Sequence, residues 1–141
     1  MELDELYTDI ILEYSQSKKH RHPLMKPSIQ KRGVNPSCGD QIELALTIED
    51  NKIKEVGLLG SGCAISEASA AIMAELVEGK TVEEAKELAS IFIGMIQKTI
   101  TEEEALKRLE EAQVFQNISN MPARVKCAVL SWHTLQEALN L

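Results

Sequence analysis

The sequence predicts an α+β fold, with a small antiparallel three-stranded sheet packed by helices. Three observations carry that expectation. A helical stripe opens the chain, period-two alternation follows, and every apolar stripe after residue 64 has helical spacing. There is no strand–helix alternation of the kind that builds a doubly wound sheet.

The opening helix is read from Leu3, Leu6, Tyr7, Ile10, Ile11 and Tyr14, which recur at steps of three and four. Tyr7 and Tyr14 share a face and read as core packing. The stripe ends in Ser15-Gln16-Ser17-Lys18-Lys19-His20-Arg21-His22-Pro23, a polar, basic stretch expected to be a loop. Ile29 to Val34 is a candidate strand. Ile42, Leu44, Leu46 and Ile48 then alternate with polar or small residues, as a half-buried strand requires. Asp50-Asn51 makes a turn, and Lys52 to Leu59 is the return strand of a hairpin. Its alternation slips between Ile53 and Val56, which suggests a bulge.

Ile65, Ala68, Ser69, Ile72, Met73 and Leu76 form the next helix face, with Gly79 as its stop. Thr81 and Glu84 have capping-box spacing ahead of Val82, Ala85, Leu88, Ala89, Phe92, Ile93 and Ile96. Thr101 and Glu104 repeat that spacing ahead of Ala105, Leu106, Leu109 and Ala112. Pro122 fits the first turn of a last helix with Val125, Ala128, Val129, Trp132, Leu135 and Leu139 on its apolar face.

At 141 residues the chain is expected to form one domain over residues 1–141. Hydrophobic residues at 44% and charged residues at 26% argue for a globular chain rather than a disordered one. A net charge of −7 gives no support to a nucleic-acid partner. The charge is uneven. Residues 41–113 hold seven basic and fifteen acidic side chains, while residues 1–40 hold six of each. The middle acid reads as a solvated helix face ahead of a partner surface. No apolar run has the length of a membrane span, and no N-terminal apolar segment precedes the first helix. With three cysteines, an odd number, the chain reads as cytoplasmic with reduced thiols.

The cysteines sit in three settings. Cys38 lies in Asn-Pro-Ser-Cys-Gly-Asp at 35–40, Cys63 in Gly-Ser-Gly-Cys-Ala-Ile-Ser at 60–66, and Cys127 inside the last helix. Taken alone, Cys127 reads as a small buried hydrophobe. Cys38 and Cys63 sit beside glycines at the ends of elements, where side chains can converge. Cys63 also lies near a helix N-terminus, whose positive end favours negative charge. There is no C-x-x-C knuckle, so a metal site would have to be assembled from distant segments. Three thiolates with Asp40 would make the four ligands Zn²⁺ prefers, although Asp40 reads equally well as a turn residue bonding its own backbone.

These segments, with Ala-Arg-Val-Lys-Cys at 123–127 and Trp132 beyond, resemble the IscU/SufU (NifU N-terminal-like) family of iron–sulfur cluster assembly proteins. The resemblance covers nearly the whole chain and is closest to the SufU branch. The scaffold branch carries His immediately before the third cysteine, where this chain has Lys126. Its chaperone motif Leu-Pro-Pro-Val-Lys is broken here, as Met121-Pro122-Ala123-Arg124-Val125-Lys126.

The resemblance implies a zinc-dependent sulfurtransferase. Cys38, Asp40, Cys63 and Cys127 would bind Zn²⁺. Cys38 would accept sulfane sulfur from a SufS-type, PLP-dependent cysteine desulfurase, with a SufB-type assembly complex downstream. A thiolate attacks sulfane sulfur at a rate set by its thiolate fraction and its access. Four anionic ligands around Zn²⁺ sum to −2 and call for nearby cations, for which Arg124 and Lys126 are candidates. Arg124 is one turn from Cys127 and shares its face, and it joins Cys38 as a candidate catalytic residue. His20 and His22 read as solvated, and His133 as a surface residue. The basic stretch 18–22 is a candidate for docking on an acidic patch of the desulfurase. The alternative functions are a scaffold for a transient [2Fe–2S] cluster, which Lys126 disfavours because a protonated Lys is no ligand, and an adaptor with purely structural zinc.

Overall fold

The computed structural model describes residues 2–37 and 39–140, with side chains from residue 9 onward. The elements follow the predicted order. Helix α1 runs over Glu2–Ser15, and its Ile10, Ile11 and Tyr14 pack against the core. Strands β1 (Ile29–Asn35), β2 (Asp40–Glu49) and β3 (Lys52–Ser61) form one antiparallel sheet in the order β1-β2-β3.

Period two decides which face of the sheet is inside. Ile42, Leu44 and Leu46 of β2, with Val56 and Leu58 of β3, are buried against the helices. The β2–β3 turn places Asp50 and Asn51 at φ 53° and 63°, the left-handed pair of a tight hairpin turn. Thr47 opposes Glu55 and Ile48 opposes Ile53, so Lys54 is an extra residue in β3. The expected bulge falls there.

Helix α2 (Ala64–Val77) follows β3 directly, and α3 (Val82–Gln97) begins with the full capping box. The Glu84 N–H donates to Thr81 Oγ1 and the Thr81 N–H to Glu84 Oε1, both at 3.1 Å. The second capping pattern did not form. Helix α4 is only Glu103–Lys107, capped by Glu102 without a side-chain bond, and the chain continues as 3-10 turns at Glu110–Phe115 and Ile118–Asn120. Glu110 at φ 50° interrupts the helical run. Leu106, Leu109 and Ala112 are buried all the same, so the apolar spacing marked burial correctly and helix length wrongly.

Helix α5 (Pro122–Leu139) starts with proline in its first turn, as expected. It is the central pillar of the core. Trp132 stacks on Phe92 of α3 with ring centroids 4.1 Å apart and planes 6° apart. Its Nε1–H donates to Ser69 Oγ of α2 at 2.9 Å, and the Ser69 hydroxyl donates to the Ala128 carbonyl at 2.5 Å. On its other side α5 lies so close to β1 that a Cβ on Gly33 would sit 2.0 Å from Thr134 Oγ1. These contacts fix α5 against both α2 and the sheet, and so carry Cys127 to the junction of β2, β3 and α2. No helix among the described residues is long and apolar enough to cross a membrane.

Candidate metal centre

Three side chains converge at one end of the sheet. Asp40 is the first residue of β2, opposite Asn35 of β1, and is 1% exposed. Gly39 just before it adopts φ +72°, with open space where a Cβ would be. Glycine takes that conformation at no steric cost. Cys63 is the cap residue of α2, with extended φ −70° and ψ 169°. Cys127 lies in α5 and is 1% exposed. One ligand atom from each of Asp40, Cys63 and Cys127 lies within 4.8 Å of the other two.

The carboxylate is oriented by the chain itself. The Cys63 backbone N–H donates to Asp40 Oδ1 at 2.9 Å, and Cys63 Sγ lies 3.9 Å from Asp40 Oδ2. One oxygen is thus held by the start of α2 and the other faces sulfur. A tetrahedral centre with metal–sulfur and metal–oxygen bonds of typical length for zinc separates those two ligands by about 3.6 Å. The chemistry of two sulfurs and one carboxylate oxygen therefore suits Zn²⁺, and the Cys63–Asp40 separation of 3.9 Å is near that spacing. Gly62 is part of this fit, because a Cβ there would meet Asp40 Oδ1 at 2.8 Å. Sequence reading noted the Gly-Ser-Gly run but missed that Gly62 makes room for the carboxylate.

Cys38 lies outside the described residues. Arg124 is exposed on the first turn of α5, and its guanidinium makes no hydrogen bond or ion pair among the described residues. Lys126 and His133 are also exposed on α5.

The basic stretch departs from expectation. His20 is buried rather than solvated. Its Nε2 is 3.1 Å from Glu75 Oε2, and its Nδ1 is 3.6 Å from Glu78 Oε2. Lys19 pairs with Glu75 at 2.9 Å and Arg21 with Glu67 at 3.0 Å. The stretch therefore sets Lys19, His20 and Arg21 against α2 and its C-cap. His22, by contrast, is exposed as expected. The Lys19 hydrogen bond, with that of His20 behind it, holds the Glu75 carboxyl below its ordinary range. Burial, reinforced by the hydrogen bond of its hydroxyl to Glu111, keeps Tyr14 protonated well above the ordinary tyrosine range.

The fold and this site define a small α+β protein with a donor set of two thiols and a carboxylate at a strand–helix junction, Asp40 and Cys127 buried and Cys63 half-buried. Comparison with known proteins narrows that class. The family profile described as NifU-like N terminal domain matches residues 6–97, a span that includes Asp40 and Cys63 but stops before Cys127. The chain belongs to this family, among the IscU/SufU proteins of iron–sulfur cluster assembly. It is 41% identical over 134 residues to the iron–sulfur cluster assembly scaffold protein IscU of Thermotoga maritima, covering 95% of this chain and 92% of that one. It is 32% identical over 137 residues to the zinc-dependent sulfurtransferase SufU of Bacillus subtilis, covering 97% and 91%. A crystal structure described as an iron–sulfur cluster assembly scaffold protein for the SUF system, from Fervidobacterium islandicum AW-1, superposes with a TM-score of 0.89 at 36% identity. It covers 96% of this chain and 97% of that one.

Proposed function

We propose that this chain is a zinc-dependent sulfurtransferase of iron–sulfur cluster assembly, acting in the cytoplasm. The observation that most supports this reading is the approach of two thiols and one buried carboxylate to within 4.8 Å of one another, with Cys38 two positions before the carboxylate in sequence. Asp40, Cys63 and Cys127 would hold Zn²⁺, with Cys38 as the fourth donor. Bound zinc would keep these thiols deprotonated at neutral pH.

The residues then divide the work. Asp40, pinned through Oδ1 by the Cys63 N–H, keeps its second oxygen toward the sulfurs. Cys38 is the acceptor. Its thiolate attacks the outer sulfur of a persulfide on a SufS-type cysteine desulfurase. A new S–S bond forms at Cys38, the partner's S–S bond breaks, and the electron pair leaves with the partner's cysteine thiolate. Gly39 at φ +72° gives the backbone just before Asp40 a conformation that costs glycine nothing. Arg124, exposed one helical turn from Cys127, supplies positive charge for the incoming anionic persulfide. The sulfur then passes to a SufB-type assembly complex.

Scaffolding of a [2Fe–2S] cluster on the same donors is the second reading. It is favoured by relatives described as IscU scaffold proteins at 41% and 36% identity, above the SufU relative at 32%. One experiment separates the two. The protein is purified, its metal is measured, and the desulfurase and cysteine are added. The sulfurtransferase reading expects about one zinc per chain, faster desulfurase turnover, and loss of both persulfide acceptance and stimulation in Cys38→Ala. A coloured cluster in the isolated protein, with persulfide only on Cys127, would replace it with the scaffold reading.

A further inference from the structure

Arg21 reaches from the loop after α1 to the first turn of α2. Its Nη1 is 3.0 Å from Glu67 Oε1, and its Nη2 donates to the Glu67 main-chain carbonyl at 3.4 Å. Glu67 closes the turn that begins at Cys63, because its N–H donates to the Cys63 carbonyl at 3.0 Å. The same arginine borders a small cleft of about 20 Å³ with Gly60, Ser61, Gly62 and Ser66. Its Nε is buried with no hydrogen-bond partner among the described residues, and the cleft has room for a single water. The loop is held in place from behind, where the Leu58 N–H of β3 donates to the His20 carbonyl at 2.8 Å. Lys19 makes the contrasting contact. It pairs with Glu75 at the far end of α2, with side chains 61% and 43% exposed, against 22% and 32% for Arg21 and Glu67.

We propose that Arg21 is a positioning residue for the Asp40–Cys63–Cys127 donor set: by gripping both the side chain and the carbonyl of Glu67, it holds the first turn of α2 where Cys63 meets Asp40. The functional meaning of this rests on the metal-centre reading above. The chemistry suits arginine. A planar fork with several fixed donors holds a carboxylate and a carbonyl together, and a lysine point charge does so less well. The order of contacts runs from Arg21 to Glu67, to the Cys63 carbonyl, to the Cys63 N–H, to Asp40 Oδ1. Arg21 reaches Glu67, one turn into α2 from Cys63. It acts by setting the angle at which α2 enters the site.

The test uses hydrogen–deuterium exchange on the metal-free protein, together with zinc loss to a chelator from the zinc-loaded one. Wild type is compared with Arg21→Ala, Arg21→Lys and Lys19→Ala. Arg21→Ala is expected to speed exchange over residues 60–68 with little change over 72–78, and to speed zinc loss about ten-fold. Arg21→Lys recovers part of both. Lys19→Ala loosens only the far end of the helix and leaves zinc retention unchanged. Uniform loosening along α2 in Arg21→Ala, or zinc loss no faster than in Lys19→Ala, would overturn the proposal. If wild type takes up no zinc, the metal-centre reading fails, and the exchange pattern alone then decides for or against Arg21. Should Arg21→Ala fail to fold, Glu67→Gln and Arg21→Lys give the same comparison from the two ends of the contact.

Discussion

The Cys63 N–H donates to the Asp40 carboxylate at 2.9 Å, so Asp40, a proposed metal ligand, is also the acceptor that holds the start of α2. The two roles separate by substitution. Asp40→Asn keeps an oxygen for the N–H but loses the negative charge, whereas Asp40→Ala loses both. Asp40→Ala leaves a part-buried N–H unpaired and is expected to cost about 1–3 kcal/mol of stability; Asp40→Asn costs less. Both weaken zinc binding. Chelator competition and urea melts read the two effects separately. Wild-type zinc affinity in Asp40→Asn would remove Asp40 from the donor set.

Gly62→Ala attacks the same carboxylate from the other side. The new Cβ would lie 2.8 Å from Asp40 Oδ1, 3.0 Å from its Cγ and 3.2 Å from Ser66 Cβ. Overpacking of this kind costs about 1–3 kcal/mol, and here the group that must yield is a proposed ligand. The variant is expected to shift the visible spectrum of the Co²⁺-substituted protein. Gly39→Ala is the contrast, acting on the backbone beside Asp40 rather than on its carboxylate. Its Cβ meets nothing, and the penalty is the positive φ alone, about 1–2 kcal/mol. Equal spectra in Gly62→Ala and wild type would show that the carboxylate shifts without cost to the site.

What could be read from the sequence depended on the range over which the signal acts. The alternation of Ile42, Leu44 and Leu46, the Asp50-Asn51 turn, the Thr81–Glu84 box and Pro122 act within a few residues, and each appears where expected. The burial of His20 was not legible, because Glu75 and Glu78 lie 55 and 58 positions away on and beside α2. Thr101–Glu104 had the right spacing, but the helix starts one residue later behind Glu102, without a side-chain cap, and Glu110 at φ 50° breaks the helical run beyond it. The donor set was a matter of resemblance rather than spacing. Cys127 is ordinary in its own helix and joins Asp40 and Cys63 only because α5 packs against both β1 and α2.

The Ser69–Trp132 contact offers a test of that packing. Ser69→Ala leaves the indole N–H buried without its acceptor, which is expected to cost about 1–3 kcal/mol. Trp132→Phe removes the N–H but keeps an aromatic ring for Phe92 to stack on. The double variant is therefore expected to be more stable than the sum of the two single losses implies. Urea melts of the four proteins measure the coupling, and strict additivity would mean that the hydrogen bond contributes nothing.

Acid sensitivity is expected at the other end of α2. Hydrogen bonds from Lys19, and then from His20, lower the Glu75 carboxyl below its ordinary value of 4.5. A carboxylate depressed in the folded state contributes stability above the unfolded pKa, and that contribution disappears as the pH falls through the folded one. Glu75→Gln therefore lowers stability at neutral pH and flattens the fall of stability below about pH 4.5. The pair is 61% and 43% exposed on its two side chains, so the effect is small and shrinks in high salt. Urea melts across the acid range, at low and high salt, report it directly. Parallel acid limbs for Glu75→Gln and wild type at low salt would show that this cluster does not set the acid stability of the fold.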